Sequence, residues 1–266
     1  MIQIDNVHVE YAARKILNGI DLQIEDGEFV SIVGETGCGK STLLRLILGE
    51  ESPTSGQVLV DGRVRTEPDR TCGYVPQRYS LFPDRTVLGN VTFGLEVTTS
   101  RSWSFLSPAR RKQKREFRDE ALRYLRHTGL LESDGGKYPH QLSGGMQQRV
   151  AIAQALIMKP PILLMDEAFS ALDPGTRRGM QRLIKELWRE SGTTIIFVTH
   201  NTREAVCLGT RVIALAKDPT GSSVALDLSV PDTDFDSHEE DIARLIRRVE
   251  SAGRELEVRE AVSAIY

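Results

Sequence analysis

The sequence predicts an α/β fold: a central sheet with an antiparallel β layer, an inserted helical subdomain and a short C-terminal helical extension. Three observations carry this expectation. Short apolar runs at 29–33, 162–165 and 195–198 have the continuous character of strands buried on both faces, and helical periodicities follow the first two. The first thirty residues instead break into short β-like pieces, and from Asp84 to Lys159 helix signals dominate.

The 266-residue chain is 40% apolar and 27% charged, enough to bury a substantial core. Its net charge of -3 provides no global basic field for nucleic acid. Three cysteines, Cys38, Cys72 and Cys207, show neither paired spacing nor histidines at zinc-ligand intervals, which points to a reducing compartment. No N-terminal basic region precedes an apolar core, and no run reaches about 18 apolar residues, so neither a secretory signal nor a spanning segment is expected. Any membrane role would need another chain to form the channel.

Ile2-Gln3-Ile4, Val7-His8-Val9, Ile20 to Ile24 and Glu28 to Val33 read as an antiparallel layer leading into the central strand. Tyr11 follows the second piece, and pattern alone favours a partly packed aromatic over a base-stacking platform. Gly34-Glu35-Thr36-Gly37-Cys38-Gly39-Lys40-Ser41-Thr42 then fits the phosphate-binding pattern G-x-x-x-x-G-K-[ST] between an apolar strand and an apolar helix. Glycines let successive N–H groups turn inward, making an anion nest at the positive end of a helix dipole. Lys40 is placed to reach β- and γ-phosphates and the Ser41 hydroxyl to join a Mg²⁺ shell, so the core reads as a P-loop NTPase core. Cys38, inside the loop, reads as a small filler, with a reactive thiol as the alternative.

Leu43, Leu44, Ile47 and Leu48 recur at helical spacing before the C-cap residue Gly49. A turn at Pro53 to Gly56 leads into Gln57 to Val60, Asp61-Gly62 is a hairpin signal, and Cys72 to Gln77 is another strand. Nine arginines and lysines fall between Ser100 and Arg126, while Phe117, Ala121, Tyr124 and Leu125 form one apolar face. The basic side is either a solvated helix face or a contact with a membrane-bound partner or lipid headgroups. Trp103, Phe105 and Leu106 precede it as a loop with exposed aromatic potential.

Gln141 to Arg149 opens a helix on Ser143, Gly144 and Gly145, with Met146, Val150, Ala153 and Ile157 on one face. Ser143 is the N-cap, and the glycines leave backbone N–H groups accessible, a second anion-binding end. One set of phosphates rarely needs two. Ile162 to Glu167 is a buried-type strand ending in two carboxylates at the edge where a doubly wound sheet binds ligands. Asp166 suits a Mg²⁺ ligand and Glu167 a general base or water-orienting group; capping of the next helix is the structural alternative.

Met180, Leu183, Ile184, Leu187 and Trp188 mark an amphipathic helix, and Thr194 to Thr199 a strand running into His200. That histidine is either structural or within reach of a γ-phosphate. Arg211 to Leu215 is one more strand. Beyond Pro219 the pattern thins to a linker. Ser237 to Glu240 then forms a capping box before the stripe Ile242, Leu245, Ile246 and Val249. The expected layout is a catalytic domain over 1–217 with a helical subdomain at about 84–159, a linker over 218–236 and a helical extension over 237–266.

Together these parts resemble the ATP-binding cassette ATPases of ABC transporters over roughly residues 1 to 217, most specifically in the signature Leu142-Ser143-Gly144-Gly145. The resemblance implies that Tyr11 stacks on adenine, Gly34 to Thr42 form the Walker A loop, and Gln77 senses Mg²⁺ and the transmembrane partner. It implies that Ser143, Gly144 and Gly145 contact the γ-phosphate held by the opposite subunit. Asp166 and Glu167 match Walker B, Ala171-Leu172-Asp173 the D-loop, and His200 the switch histidine. Met146, where glutamine is commoner, and Ala168, where a proline often stands, depart from the pattern without removing a phosphate ligand.

Tyr74-Val75-Pro76-Gln77, Leu81-Phe82-Pro83, Val87 to Val91 and the run Asp166 to Asp173 look like bacterial importer cassettes, most similar to the nitrate, sulfonate and taurine group. The implied protein binds ATP and Mg²⁺, forms a head-to-tail ATP-sandwich dimer with a second copy, and drives integral membrane permease subunits served by a substrate-binding protein. It would lie peripherally on the cytoplasmic face of the inner membrane, with no nucleic acid partner. Cassette ATPases that act on DNA or ribosomes usually carry a long coiled-coil insertion or two cassettes, and this chain has neither. A regulatory module that binds ATP without hydrolysis is opposed by Glu167 and His200.

Overall fold

The computed structural model describes residues 1–12, 14–78, 81–99, 108–232 and 239–263. In chain order the strands are β1 (Ile2–Tyr11), β2 (Arg14–Ile24), β3 (Phe29–Val33), β4 (Ser55–Val60), β5 (Arg63–Val64), β6 (Cys72–Val75), β7 (Ile162–Asp166), β8 (Thr194–Thr199), β9 (Arg211–Asp218) and β10 (Gly221–Ser229). The helices are α1 (Lys40–Leu48), α2 (Val87–Thr99), α3 (Pro108–His127), α4 (Gly144–Leu156), α5 (Pro174–Ser191), α6 (Thr202–Leu208) and α7 (Glu239–Ser263). The chain divides into two compact units, one of Met1–Cys72, Ile162–Glu167 and Trp188–Tyr266, the other of Gly73–Pro161 and Ala168–Leu187.

The first unit holds a mixed sheet in the order β5-β4-β1-β2-β10-β9-β3-β8-β7. Its β7, β8, β3 and β9 run parallel, and every residue of β3, β7 and β8 is buried, which is why those stretches read as continuous apolar runs. At the other end β1 pairs antiparallel with β2 and β4. The two expected pieces Ile2–Ile4 and Val7–Val9 are one strand. A register shift between Ile4 and Val7, with Asn6 at φ 43°, re-phases the alternation so that all four apolar ends stay buried. The Asp61-Gly62 hairpin forms with both residues at positive φ, as a tight two-residue turn requires.

The expected linker over 218–236 is corrected by β10, which pairs antiparallel with β9 from Gly221↔Asp218 to Ser229↔Arg211. Val224, Leu226 and Leu228 carry the alternation, but Ser222, Ser223 and Asp227 dilute it below what a local pattern reveals. The apolar stripe of α7 closes on its own unit: Ile242 and Val249 are buried with Ala205, Val206 and Cys207 of α6 and Val212 and Ala214 of β9. Ser237 and His238 of the expected capping box lie outside the described residues.

The second unit contains the helical segment expected at 84–159. Val87 and Val91 of α2, Ala121 and Leu125 of α3, Val150 and Ala153 of α4, and Ile157 at the C-cap of α4 share one core. Arg111, Lys112, Lys114 and Arg115 are exposed on α3; Trp103, Phe105 and Leu106 lie outside the described residues. Among the described residues no helix is long and apolar enough to cross a membrane.

Candidate active site

Strand register assembles the site in the first unit. Val33 pairs with Thr199 and Asp166 with Val198, so the residues that leave these parallel strands, Gly34, His200 and Glu167, emerge at one edge. The phosphate loop joins β3 to α1. Gly39 stands before the helix at φ 90°, and a Cβ there would lie 2.6 Å from Leu17 Cδ2. At Gly34 a Cβ would sit 2.5 Å from the Leu215 carbonyl oxygen. Side chains are therefore excluded where the backbone must curl.

Lys40 is buried, and its Nζ donates to the carbonyl oxygens of Gly34 at 2.7 Å and Glu35 at 2.8 Å. Cys38 is buried in the loop, and that burial pushes its thiol pKa up despite Lys40 nearby, which disfavours the thiolate that a nucleophile needs. Asp166, 5% exposed, is hydrogen-bonded by Ser41. Desolvation raises its pKa, the neighbouring Glu167 charge adds to the rise, and Ser41 and Lys40 oppose it.

Glu167 adopts φ 45°, a left-handed conformation costly for a residue with a Cβ, while its N–H donates to Val198 O at 2.9 Å. Its Oε1 meets His200 Nδ1 at 3.2 Å. Tyr11, 45% exposed, is tethered at its hydroxyl by Glu51, which also accepts from Arg45 at 2.7 Å; the Thr42 side chain bonds the same hydroxyl. Burial and the Glu51 contact raise the phenol pKa. Sequence reasoning missed Glu51 because it lies forty positions from Tyr11 with no local pattern between them.

The remaining candidates lie in the second unit. Ser143 caps α4, its Oγ accepting the Met146 N–H at 3.3 Å, and Ser143 and Gly144 are exposed. Gly145 follows within 3.6 Å of Leu172 when extended by a Cβ, an ordinary packing distance. Gln77 is exposed, and the buried Gln148 donates to the preceding Pro76 carbonyl at 3.5 Å. Asp173 precedes Pro174 and accepts the Thr176 N–H at 3.1 Å; contacts with Thr176 hold its carboxyl below the usual value. Arg177 ties the same turn through the carbonyls of Phe169 and Leu172, each at 3.1 Å.

The donor set of the first unit fits a magnesium-bound nucleoside triphosphate: a side-chain-free cradle, a buried ammonium, and a hydroxyl bonded to a desolvated carboxylate whose unfavourable charge a cation would relieve.

Comparison with known proteins agrees with this chemistry. The sequence model of the family described as ABC transporter matches residues 17–170. The aliphatic sulfonates import ATP-binding protein of Zymomonas mobilis is 40% identical, over 93% of this chain and 96% of its own. The nitrate import ATP-binding protein of Synechocystis is also 40% identical, over 93% and 92%. A dimeric ATP-binding cassette in a post-hydrolysis state with ADP and Pi superposes with a TM-score of 0.75 at 35% identity, over 86% of this chain and 99% of that one.

Proposed function

This chain belongs to the ABC transporter family as one of its ATP-hydrolysing cassettes, and from that membership we propose that it powers solute import through a separate membrane permease. The observation that carries the reading is the convergence of Lys40, Ser41, Asp166, Glu167 and His200 at one edge of the parallel strands β3, β8 and β7. Cargo of the nitrate or sulfonate class is supported by two relatives that match nearly end to end. The chain works peripherally at the cytoplasmic membrane face, with a substrate-binding protein delivering cargo to the permease. Its domains are a catalytic unit, a helical subdomain that meets the permease, and the α7 extension.

In this mechanism Lys40 leaves the Gly34 and Glu35 carbonyls for β- and γ-phosphate oxygens, and the loop N–H groups of Gly34 to Thr42 cradle the chain of phosphates. Tyr11 offers its exposed ring to the adenine. Ser41 and Asp166 are the residues of the first unit that would hold Mg²⁺, a role that the family resemblance extends to Gln77; when bound, the ion would neutralise charge on the phosphate oxygens. Glu167 takes a proton from the attacking water as the new bond to the γ-phosphorus forms and the bond to the β–γ bridging oxygen breaks, giving ADP and phosphate. His200 holds the γ-phosphoryl group in line. Ser143, Gly144 and Gly145, with Asp173, complete the site of a second copy, so hydrolysis opens the dimer and that opening drives the permease.

The test is retrieval of affinity-tagged chain from detergent-solubilised membranes. An integral membrane protein with several spans is expected to accompany it and to raise its ATPase rate. Purification with nucleic acid or ribosomes in place of a membrane protein overturns the reading.

A further inference from the structure

The segment that carries His200 is fixed from behind by groups outside the phosphate site. Thr199, the last residue of β8, is 2% exposed, and its hydroxyl donates to Glu204 Oε2 at 2.8 Å. The same hydroxyl accepts the Asn201 N–H at 3.0 Å. Asn201 in turn caps α6, its Oδ1 accepting the Glu204 N–H at 3.1 Å. Both neighbours of His200 are thus bonded into one closed ring of hydrogen bonds that returns to Glu204. The donor and acceptor directions agree throughout, since a hydroxyl gives one proton and receives one.

Glu204 is 9% exposed, a burial that a carboxylate tolerates only with partners. Its backbone has little freedom. Ala205, Val206 and Cys207 pack with Ile242 and Val249 of α7, and Arg203 reaches Glu239 at the start of that helix with NH2 to Oε2 at 3.0 Å. His200 itself has 61% of its side chain exposed, so its own packing does not fix where the ring stands. The backbone at 199–201 therefore sets where the side chain starts, and the ring's Nδ1 then meets Glu167 Oε1 at 3.2 Å.

We infer that Thr199 and Glu204 are positioning residues for His200, holding its ring at the hydrolytic edge through their mutual hydrogen bond. The inference rests on the assignment of His200 to the γ-phosphate. It concerns geometry at the reacting group and not nucleotide capture, so its signature falls on rate. A displacement of the order of 1 Å at such a group can cost up to about a hundredfold in rate.

The experiment measures single-turnover hydrolysis and ATP affinity of the full chain. Thr199→Val, which preserves volume and removes the hydroxyl, is expected to slow hydrolysis about tenfold with Kd for ATP essentially unchanged. Thr199→Ser is expected to recover the rate. In a His200→Ala background, Thr199→Val should cause no further loss, because both changes act through one group. Glu204→Ala, the second variant should Thr199→Val fold poorly, is expected to show the same loss and the same lack of additivity. Equal losses with and without His200, or a weakened Kd that accounts for the rate, overturn the inference and leave a purely structural hydrogen bond. Undiminished hydrolysis by His200→Ala alone sinks the assignment of His200 itself, a distinct result.

Discussion

Glu167 Oε1 and His200 Nδ1 lie 3.2 Å apart at the ends of adjacent parallel strands. The carboxylate at the end of one strand thus faces the imidazole at the end of the next. The proposed general base and the proposed γ-phosphate ligand therefore stand side by side at the edge of the sheet.

Glu167→Gln is expected to bind ATP normally and to slow turnover by about 10²–10⁴-fold, the usual range for loss of a general base. ATP-bound dimer should accumulate, visible by size-exclusion chromatography with MgATP. Turnover close to wild type removes the base assignment.

Glu167→Gly separates strain from chemistry. Glycine adopts φ 45° freely, so this variant should be more stable than the parent by about 1 kcal/mol while losing hydrolysis. In a chain of this size that is a rise of about 2–4 °C in Tm. An unchanged or lower Tm argues that Glu167 is not held under strain.

Asp166 has a pKa above its ordinary 3.8 in the folded protein, chiefly through burial. The folded state then binds this proton more tightly than the unfolded chain. Its stabilising contribution is full below about pH 3.8 and is lost as pH rises through the higher folded value. In urea titrations without nucleotide or Mg²⁺, the stability of the parent relative to Asp166→Asn should decline across that interval. A flat difference contradicts the desolvation of this carboxylate.

Lys40→Ala removes the cation that the loop stores on its own carbonyls and should weaken ATP binding with the fold intact, as read by isothermal titration. Gly34→Ala should be worse. Its Cβ would lie 2.5 Å from a backbone oxygen that has no rotamer to retreat into, so both affinity and Tm should fall.

Cys38 and Cys207 are buried and Cys72 partly so. Limited alkylation of native protein near neutral pH should label Cys72 first and Cys38 slowly, as peptide mapping would report. Rapid labelling of Cys38 would restore the reactive reading of the loop thiol.

Legibility in the sequence followed the range of the interaction. The phosphate loop, the Ser143 cap and the Gly49 stop depend on neighbouring residues and were readable from pattern. Tyr11 and His200 needed the family resemblance, because what distinguishes them from packed residues is a partner far along the chain: Glu51 for one, Glu167 for the other. Strand β10 escaped because its half-buried face mixes serines with its apolar positions.

By itself the sequence determined that a nucleotide-binding loop lies between a buried strand and a helix, that two carboxylates end another strand, and that a glycine-led helix start capped by Ser143 lies within the helical segment. These are properties of periodicity and local turn chemistry, fixed within a few residues. The tertiary structure decided which strand ends meet, that Glu167 is held at positive φ beside His200, and that α7 closes on α6. The meeting of strand ends depends on register between strands distant in sequence, and the closing of α7 on packing between faces far apart in the chain; no local pattern contains either.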